Sequence, residues 1–144
     1  MSKLVKFFIA ADDVVAALAL RGGPARALES VSWGNFDPEE AVIEWESLFT
    51  GRRVEELMDA DEPRIVAGQD NDGYVVFAFS DRLVSVLGAA GLVKIGEVAV
   101  LWSQVREQDG EALDVDVAGE ILGDLARLAR AAERQGSGVY CWVA

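Results

Sequence analysis

The chain has 144 residues, of which 51% are hydrophobic and 26% are charged, a composition typical of a single globular domain with its own core. Its formal charge of −12 disfavours nucleic acid and anionic membrane surfaces as partners, because both are bound through clustered lysine and arginine. The chain contains no histidine, which excludes Ser-His-Asp and Cys-His catalysis and every zinc site that uses histidine.

The first predicted element is a strand over Leu4–Ala10, where apolar side chains fall on both faces. Two aspartates follow it and can cap a short helix that ends at residues 22–24, Gly-Gly-Pro. Residues 25–30 are predicted to form a second short helix. Residues 31–34 fit either a strand or a loop.

A run of four residues that begins at Asp37 is the clearest helix start in the chain. Asp37 can cap the helix, Pro38 fits the first helical position and Glu40 occupies the position of a capping-box acid. The helix is predicted to end at Gly51. Residues 54–60 are predicted to form one or two further helical turns.

Two β-rich stretches, residues 64–68 and 74–79, flank a polar loop that ends in Gly73 and predict a hairpin. The loop sequence Asp-Asn-Asp-Gly also suggests a calcium site. The EF-hand register that fits it, however, places Gly68 at the first ligand position and Phe79 at the twelfth. Neither side chain supplies an oxygen, so a plain turn is favoured and no metal site is predicted.

The second half of the chain is predicted to be mainly helical. Ser80 can cap a helix that ends at Gly88 or Gly91, and apolar residues at helical spacing predict another helix over residues 92–106. A longer amphipathic helix begins after Asp114, which can cap its first turn.

The last predicted strand, residues 139–143, follows a Gly-Ser-Gly helix stop and is apolar on both faces. Such a strand must be covered on both sides, so we expect it to be central in its sheet. The element order predicts an α+β fold in one domain, residues 1–144, with a mixed sheet of about four strands covered by helices. A C-terminal helix followed by a buried terminal strand completes it, and the first and last strands are expected to be neighbours.

Two stretches of the sequence resemble known families. Residues 45–51 (WESLFTG) and the ending at residues 131–143 (AAERQGSGVYCWV) are similar to small uncharacterised bacterial proteins of the YfbM-like kind. The ending, with residues 79–83 (FSDRL), also resembles a family of small acidic actinobacterial proteins of unknown function. Both resemblances imply an α+β domain with a terminal helix and strand, and neither brings a catalytic motif.

The remaining residues favour no catalytic chemistry. Cys141 lies in an apolar strand without an adjacent base, so we expect a buried, structural thiol. The glycines at residues 22–23 lack the lysine of a phosphate-binding loop. Pairs of carboxylates occur, but with so many acids such pairs are expected by chance, and a solvated acidic face is favoured over a catalytic pair. No catalytic residue, cofactor or metal is predicted.

The negative charge is concentrated in residues 37–72, which carry twelve acids and three bases. The main hypothesis is therefore a non-catalytic protein-binding module, immunity- or antitoxin-like or regulatory, whose acidic face meets a basic protein partner. Trp33, just before this stretch, is a candidate interface anchor, although an aromatic folded under the domain is the simpler interpretation. The predicted partner-binding residues are Trp33, Glu39, Glu40, Glu44, Glu55, Glu56 and Asp59.

The alternative hypothesis is a carboxylate-based enzyme or small-ligand binder with a pocket between sheet and helices. It predicts a concave site that contains at least two acids with perturbed pKa values. We expect a cytoplasmic protein, because the N-terminal apolar run is too short for a signal peptide, the single cysteine fits a reducing compartment and no stretch is long enough to span a membrane.

Overall fold

A computed structural model of the chain describes residues 4–34, 36–68 and 73–144. The strands of the described part are β1 (Leu4–Ala10), β2 (Ser30–Gly34), β3 (Arg64–Ala67), β4 (Val75–Ala78) and β5 (Gly138–Val143). The helices are α1 (Asp13–Ala17), α2 (Pro38–Thr50), α3 (Val54–Asp59), α4 (Asp81–Ala89), α5 (Leu92–Gln108) and α6 (Val115–Gln135).

The strands form one sheet in the order β2-β1-β5-β4-β3. The last strand is central and lies beside the first, so both predictions about β5 are confirmed. The sheet has five strands rather than four because the ambiguous residues 31–34 belong to a strand, β2, that pairs with β1. The prediction of a mixed sheet is wrong: all four strand pairings are antiparallel, since β1 and β5 run in opposite directions and the hairpin adds β4 and β3 in alternation.

Helices cover one face of the sheet. Val5, Phe7 and Ile9 of β1 point toward this side, where they join buried residues of α2, α4, α5 and α6 in the main core. Trp45 and Trp102 are fully buried in that core, with ring centroids 5.1 Å apart. The predicted α+β architecture with helices covering the sheet is confirmed.

The opposite face of the sheet carries a smaller cluster around Phe8, Tyr140 and Trp142, covered by α1 and the turns that follow it. Polar contacts fasten α1 to this face. The hydroxyl of Tyr140 donates to Asp13 over 2.8 Å, and both terminal nitrogens of Arg64 also donate to the Asp13 carboxylate. A single carboxylate therefore ties α1 to β5 and β3.

The ends of α2 and the start of α6 are found where the sequence placed them, but α1 ends at Ala17 rather than at residues 22–24. Residues 18–20 form turns instead, because their backbone nitrogens bond to the third residue before them rather than the fourth. Asp37 accepts hydrogen bonds from the backbone of Glu39 at 3.1 Å and of Glu40 at 3.4 Å. Gly51 ends α2 with a φ of 78°, a left-handed conformation that glycine adopts without steric cost. Asp114 caps α6, which is the long terminal helix that the sequence predicted.

Two features differ from the prediction or lie beyond it. Residues 26–28 form a turn rather than part of a helix, because Ser30 already pairs with Phe8 at the start of β2. One helical turn in isolation is too short to be stable, so strand pairing decides the local structure. The β3–β4 hairpin is confirmed, but residues 69–72 of its loop lie outside the described residues.

No helix in the described part of the chain is long and apolar enough to cross a membrane.

Candidate functional site

A groove of about 930 Å³ lies between α2, α3, the segment that leads into β3 and the end of α5. Its lining consists of apolar residues, acids, Ser47 and one arginine. These residues are Glu39, Glu40, Ile43, Glu44, Ser47, Leu48, Val54, Met58, Asp61, Glu62, Pro63, Arg64, Ile65, Val105 and Asp109.

The floor of the groove is apolar. Ile43 and Leu48 of α2 face Val54 and Met58, which lie four residues apart on α3 and so share one side of that helix. Most of these side chains are half-buried, but Met58 is 60% exposed. An unbranched, flexible thioether at an open apolar surface is typical of sites that adapt to a bound partner.

The rim of the groove is acidic. Six carboxylates are among its lining residues, against a single guanidinium, that of Arg64. This arginine already binds Asp13 on the other side of β3 through both terminal nitrogens. The groove therefore offers an occupant negative charge above an apolar floor.

At one end of the groove a buried ion pair holds the acids in place. Glu44 is 8% exposed and Arg106, on α5, is 4% exposed, and the guanidinium donates directly to the Glu44 carboxylate. The indole nitrogen of Trp102 donates to the other oxygen of Glu44 over 3.1 Å. The same guanidinium nitrogen also reaches Glu40 at 3.0 Å and Asp109 at 2.8 Å.

Burial perturbs the pKa of two acids in the groove. Burial raises the pKa of Glu44, and the charge of Arg106 only partly opposes it. Burial also raises the pKa of Glu62, to which the nearby negative charge of Glu46 adds. Glu46 itself is 2% exposed and accepts a hydrogen bond from Ser80.

A cation site is suggested by Glu40, Glu44 and Asp109, whose carboxylate oxygens lie within 4.8 Å of one another. All three carboxylates, however, contact the terminal nitrogen of Arg106. The guanidinium thus supplies the positive charge that a metal ion would bring, and it occupies the space between the three acids.

The structure brings part of the predicted partner-binding set together. Glu39, Glu40 and Glu44 line the groove, on the exposed and inner sides of α2. Glu55, Glu56 and Asp59 are exposed on α3 and are not among the residues that line it.

Trp33 lies elsewhere in the molecule. It is half-buried on β2 against the main core, and its indole nitrogen donates to Asp124 of α6 over 3.1 Å. Cys141 is fully buried, as predicted, and burial raises the pKa of its thiol well above the usual value.

Sequence reasoning missed the apolar floor and three of the rim acids, Asp61, Glu62 and Asp109. The spacing of Val54 and Met58 on α3 was a usable signal, because the buried Leu57 already provides the contact of that short helix with the domain. The rim acids come from a turn and from the end of α5, and only the fold places them beside α2.

Comparison of the chain with family models, with curated proteins and with solved structures found no match. The resemblance to YfbM-like and small acidic actinobacterial proteins therefore stays a prediction.

Proposed function

We propose that this protein is a binding module that receives a basic, amphipathic segment of a partner protein in the groove between α2 and α3. The observation that carries the proposal is the combination, in one concave site, of seven apolar lining residues with six carboxylates, three of which (Glu40, Glu44 and Asp109) also contact Arg106. Apolar side chains of the segment would fill the floor, while its lysines and arginines would meet the rim.

The groove favours a helical segment over a flat protein surface. Helices bound in grooves present apolar anchors along one side, and the apolar residues of α2 and α3 offer an elongated floor between two helices for such a side. Opposite charge also accelerates association, which suits a protein that neutralises or regulates a basic partner. Immunity- and antitoxin-like proteins and regulatory adaptors are the classes that fit.

Binding of a labelled amphipathic peptide of leucine and lysine, about 14 residues long, tests this function by fluorescence anisotropy. The rim variant Glu39→Gln/Asp61→Asn removes two charges from the groove. Exposed charge pairs contribute about 0.5 kcal/mol each, so Kd is expected to rise about fivefold. The control Glu55→Gln/Asp59→Asn removes two exposed charges from α3 outside the groove lining, and its Kd is expected to stay close to that of the wild type.

The floor is tested separately with Met58→Asp, which places a charge among the apolar contacts and is expected to abolish binding of the same peptide. Met58 is exposed, so the fold tolerates the change. Equal weakening by the rim and control variants would mean that the peptide senses only the net charge of the protein, and the proposal would then be wrong.

A second candidate, a small-ligand or carboxylate-based site, is favoured by one observation: the groove contains two acids, Glu44 and Glu62, whose pKa values are raised. Glu44 is held by Arg106 and Trp102, which suits a structural role. Of these two acids, Glu62 is the one that would contact a ligand bound in the groove. Glu62→Gln separates the two candidates, since it should leave peptide affinity within about twofold but abolish any turnover or binding of a small cationic compound such as spermidine.

A further inference from the structure

Another concave site in the described part of the chain is lined by more basic than acidic residues. It is a pocket of about 510 Å³ between α6 and the edge strand β2, and Arg127, Arg130 and Arg134 all line it. Two acids, Glu29 and Asp124, line it as well. Asp124 is engaged by Arg127 and Trp33, and Glu29 accepts a hydrogen bond from Gln135.

The arginines form one stripe, because positions 127, 130 and 134 fall on the same side of a helix. Arg130 is half-buried and Arg134 is exposed. Neither has an ion-pair partner among the residues that the structure describes. In a chain of net charge −12, this concave surface is lined by three bases against two acids.

The strand beside them has an open edge. The backbone nitrogen of Ile9 donates to the carbonyl oxygen of Glu29, which fixes the alternation of hydrogen bonds between β1 and β2. Val31 and Trp33 therefore direct their backbone groups toward β1, whereas Ser30 and Ser32 direct theirs away from the sheet. No strand of the described part of the chain pairs with that edge.

The two edges of the sheet differ in a way that matters for binding. At the other edge, the pairing of β3 with β4 shifts register between Ile65 and Ala67, which interrupts a regular ladder. The pairing of β2 with β1 is regular over all five residues from Ser30 to Gly34. A regular, unprotected edge is the kind to which an extended peptide adds as a further strand.

We propose that β2 accepts an acidic peptide in extended conformation, which adds to the sheet as a sixth strand and places alternate carboxylates against Arg127, Arg130 and Arg134. Val31 points its side chain toward α6, because it pairs with Phe7 of the main core. Every second side chain of an added strand points the same way and meets the arginines. Backbone hydrogen bonds between β2 and the peptide supply affinity, and the arginines select peptides with acidic side chains.

The total charge of the protein does not prevent this binding at physiological salt. Charges more than about 8 Å apart are largely screened at that ionic strength, so the balance is set by the pocket itself, where three arginines meet two acids. This inference is independent of the groove between α2 and α3, because the two sites share no lining residue.

The test uses a labelled peptide of alternating glutamate and threonine, about eight residues long, with fluorescence anisotropy as the readout. A matched peptide with lysine in place of glutamate tests the charge requirement, and a version methylated on its backbone nitrogens tests the ladder. Both are expected to lose binding. Failure of the glutamate peptide to bind at millimolar concentration would overturn the proposal.

Two variants locate the site. Ser32→Pro removes an outward N–H without breaking a bond to β1, so the fold is kept while the edge is blocked; Kd is expected to rise at least about tenfold. Arg130→Gln/Arg134→Gln is expected to raise Kd about fivefold. Its control, Arg26→Gln/Lys94→Gln, removes two exposed bases elsewhere and should leave Kd unchanged.

Two outcomes would contradict the assignment. Unchanged affinity in the Ser32→Pro protein would show that the peptide does not add to β2. Concentration-dependent dimerisation of the wild-type chain that Ser32→Pro abolishes, measured by sedimentation, would show that a second copy rather than an acidic peptide occupies the edge.

Discussion

Replacement of Arg106 is the change from which we expect the largest and most diagnostic loss of stability. In an Arg106→Met variant most of the apolar volume is kept, but the buried carboxylate of Glu44 loses its counter-charge. Breaking a buried ion pair in this way destabilises proteins by about 3–5 kcal/mol. Glu44 can escape the unpaired state only by taking up a proton.

The free energy needed to protonate Glu44 determines how much stability Arg106→Met loses at each pH. Protonating a carboxyl of ordinary pKa 4.5 costs about 3.4 kcal/mol at pH 7, at 1.36 kcal/mol per pH unit, and about 0.7 kcal/mol at pH 5. The pKa of Glu44 is raised in the folded wild type and rises further without Arg106. Folded protein therefore binds the proton more tightly than unfolded protein, and stability falls as the pH rises from 4.5 through the folded pKa. The penalty of Arg106→Met is expected to be smaller at pH 5 than at pH 7, by at most about 2.7 kcal/mol.

Urea unfolding followed by tryptophan fluorescence measures this difference, since Trp102 touches Glu44 and reports on the same region. The double variant Arg106→Met/Glu44→Gln replaces the carboxylate with a neutral amide. It is expected to recover part of the stability and to lose the pH dependence of the penalty. An Arg106→Met penalty that is the same at pH 5 and pH 7 would refute the reasoning, because unpaired charge on Glu44 would then not be its cause.

Three further predictions concern the backbone and the polar contacts. Gly68→Ala is expected to destabilise the fold by at least about 2 kcal/mol in urea unfolding, because Gly68 has a φ of 97° and a Cβ there would lie 2.3 Å from the carbonyl oxygen of Tyr74; a neutral result would contradict the turn geometry. Burial and the carboxylate of Asp13 raise the pKa of Tyr140 to about 12, so the phenol keeps its proton in the folded state and its stabilising contribution is expected to be lost as the pH rises from 10 to 12; absorbance at alkaline pH should show one late-titrating tyrosine that Tyr140→Phe removes. Asp61, which follows α3, has a φ of 58°, a conformation that glycine adopts without strain. Asp61→Gly is therefore expected to stabilise the protein by about 0.5 kcal/mol and to raise its thermal midpoint slightly. A fall in that midpoint would show that the side chain is needed.

Local signals in the sequence predicted most of the fold. The cap at Asp37 depends only on residues next to it in the chain, so the local sequence reveals it. Strand β5 is apolar on both faces because both faces are buried, and this pattern is also visible in the sequence. Residues 25–30 were predicted wrongly because a long-range partner, β1, decides their structure. The same limit applies to the groove: Glu44 and Arg106 are far apart in the chain, and nothing in their local sequence indicates that one neutralises the other.

The candidate site was predictable only as a region of charge. Three of the predicted acids, Glu39, Glu40 and Glu44, line the groove, but the sequence could not separate them from the exposed acids of α3. One of the three, Glu44, is internal and paired. Substituting it would disturb folding before it disturbed any partner, so a scan of all acids by charge reversal would misassign it as an interface residue.

The central ladder of the sheet joins the two ends of the described chain, since Val5 lies opposite Val143. Closing so long a loop costs about 4 kcal/mol of chain entropy. Contacts between residues close together in the chain have a lower closure cost. We therefore expect the β3–β4 hairpin and the α5–α6 pair to form before the β1–β5 ladder. In that order of events β1 and β4 each expose an unpaired edge until the ladder closes, so we expect the chain to be most prone to aggregation while it folds.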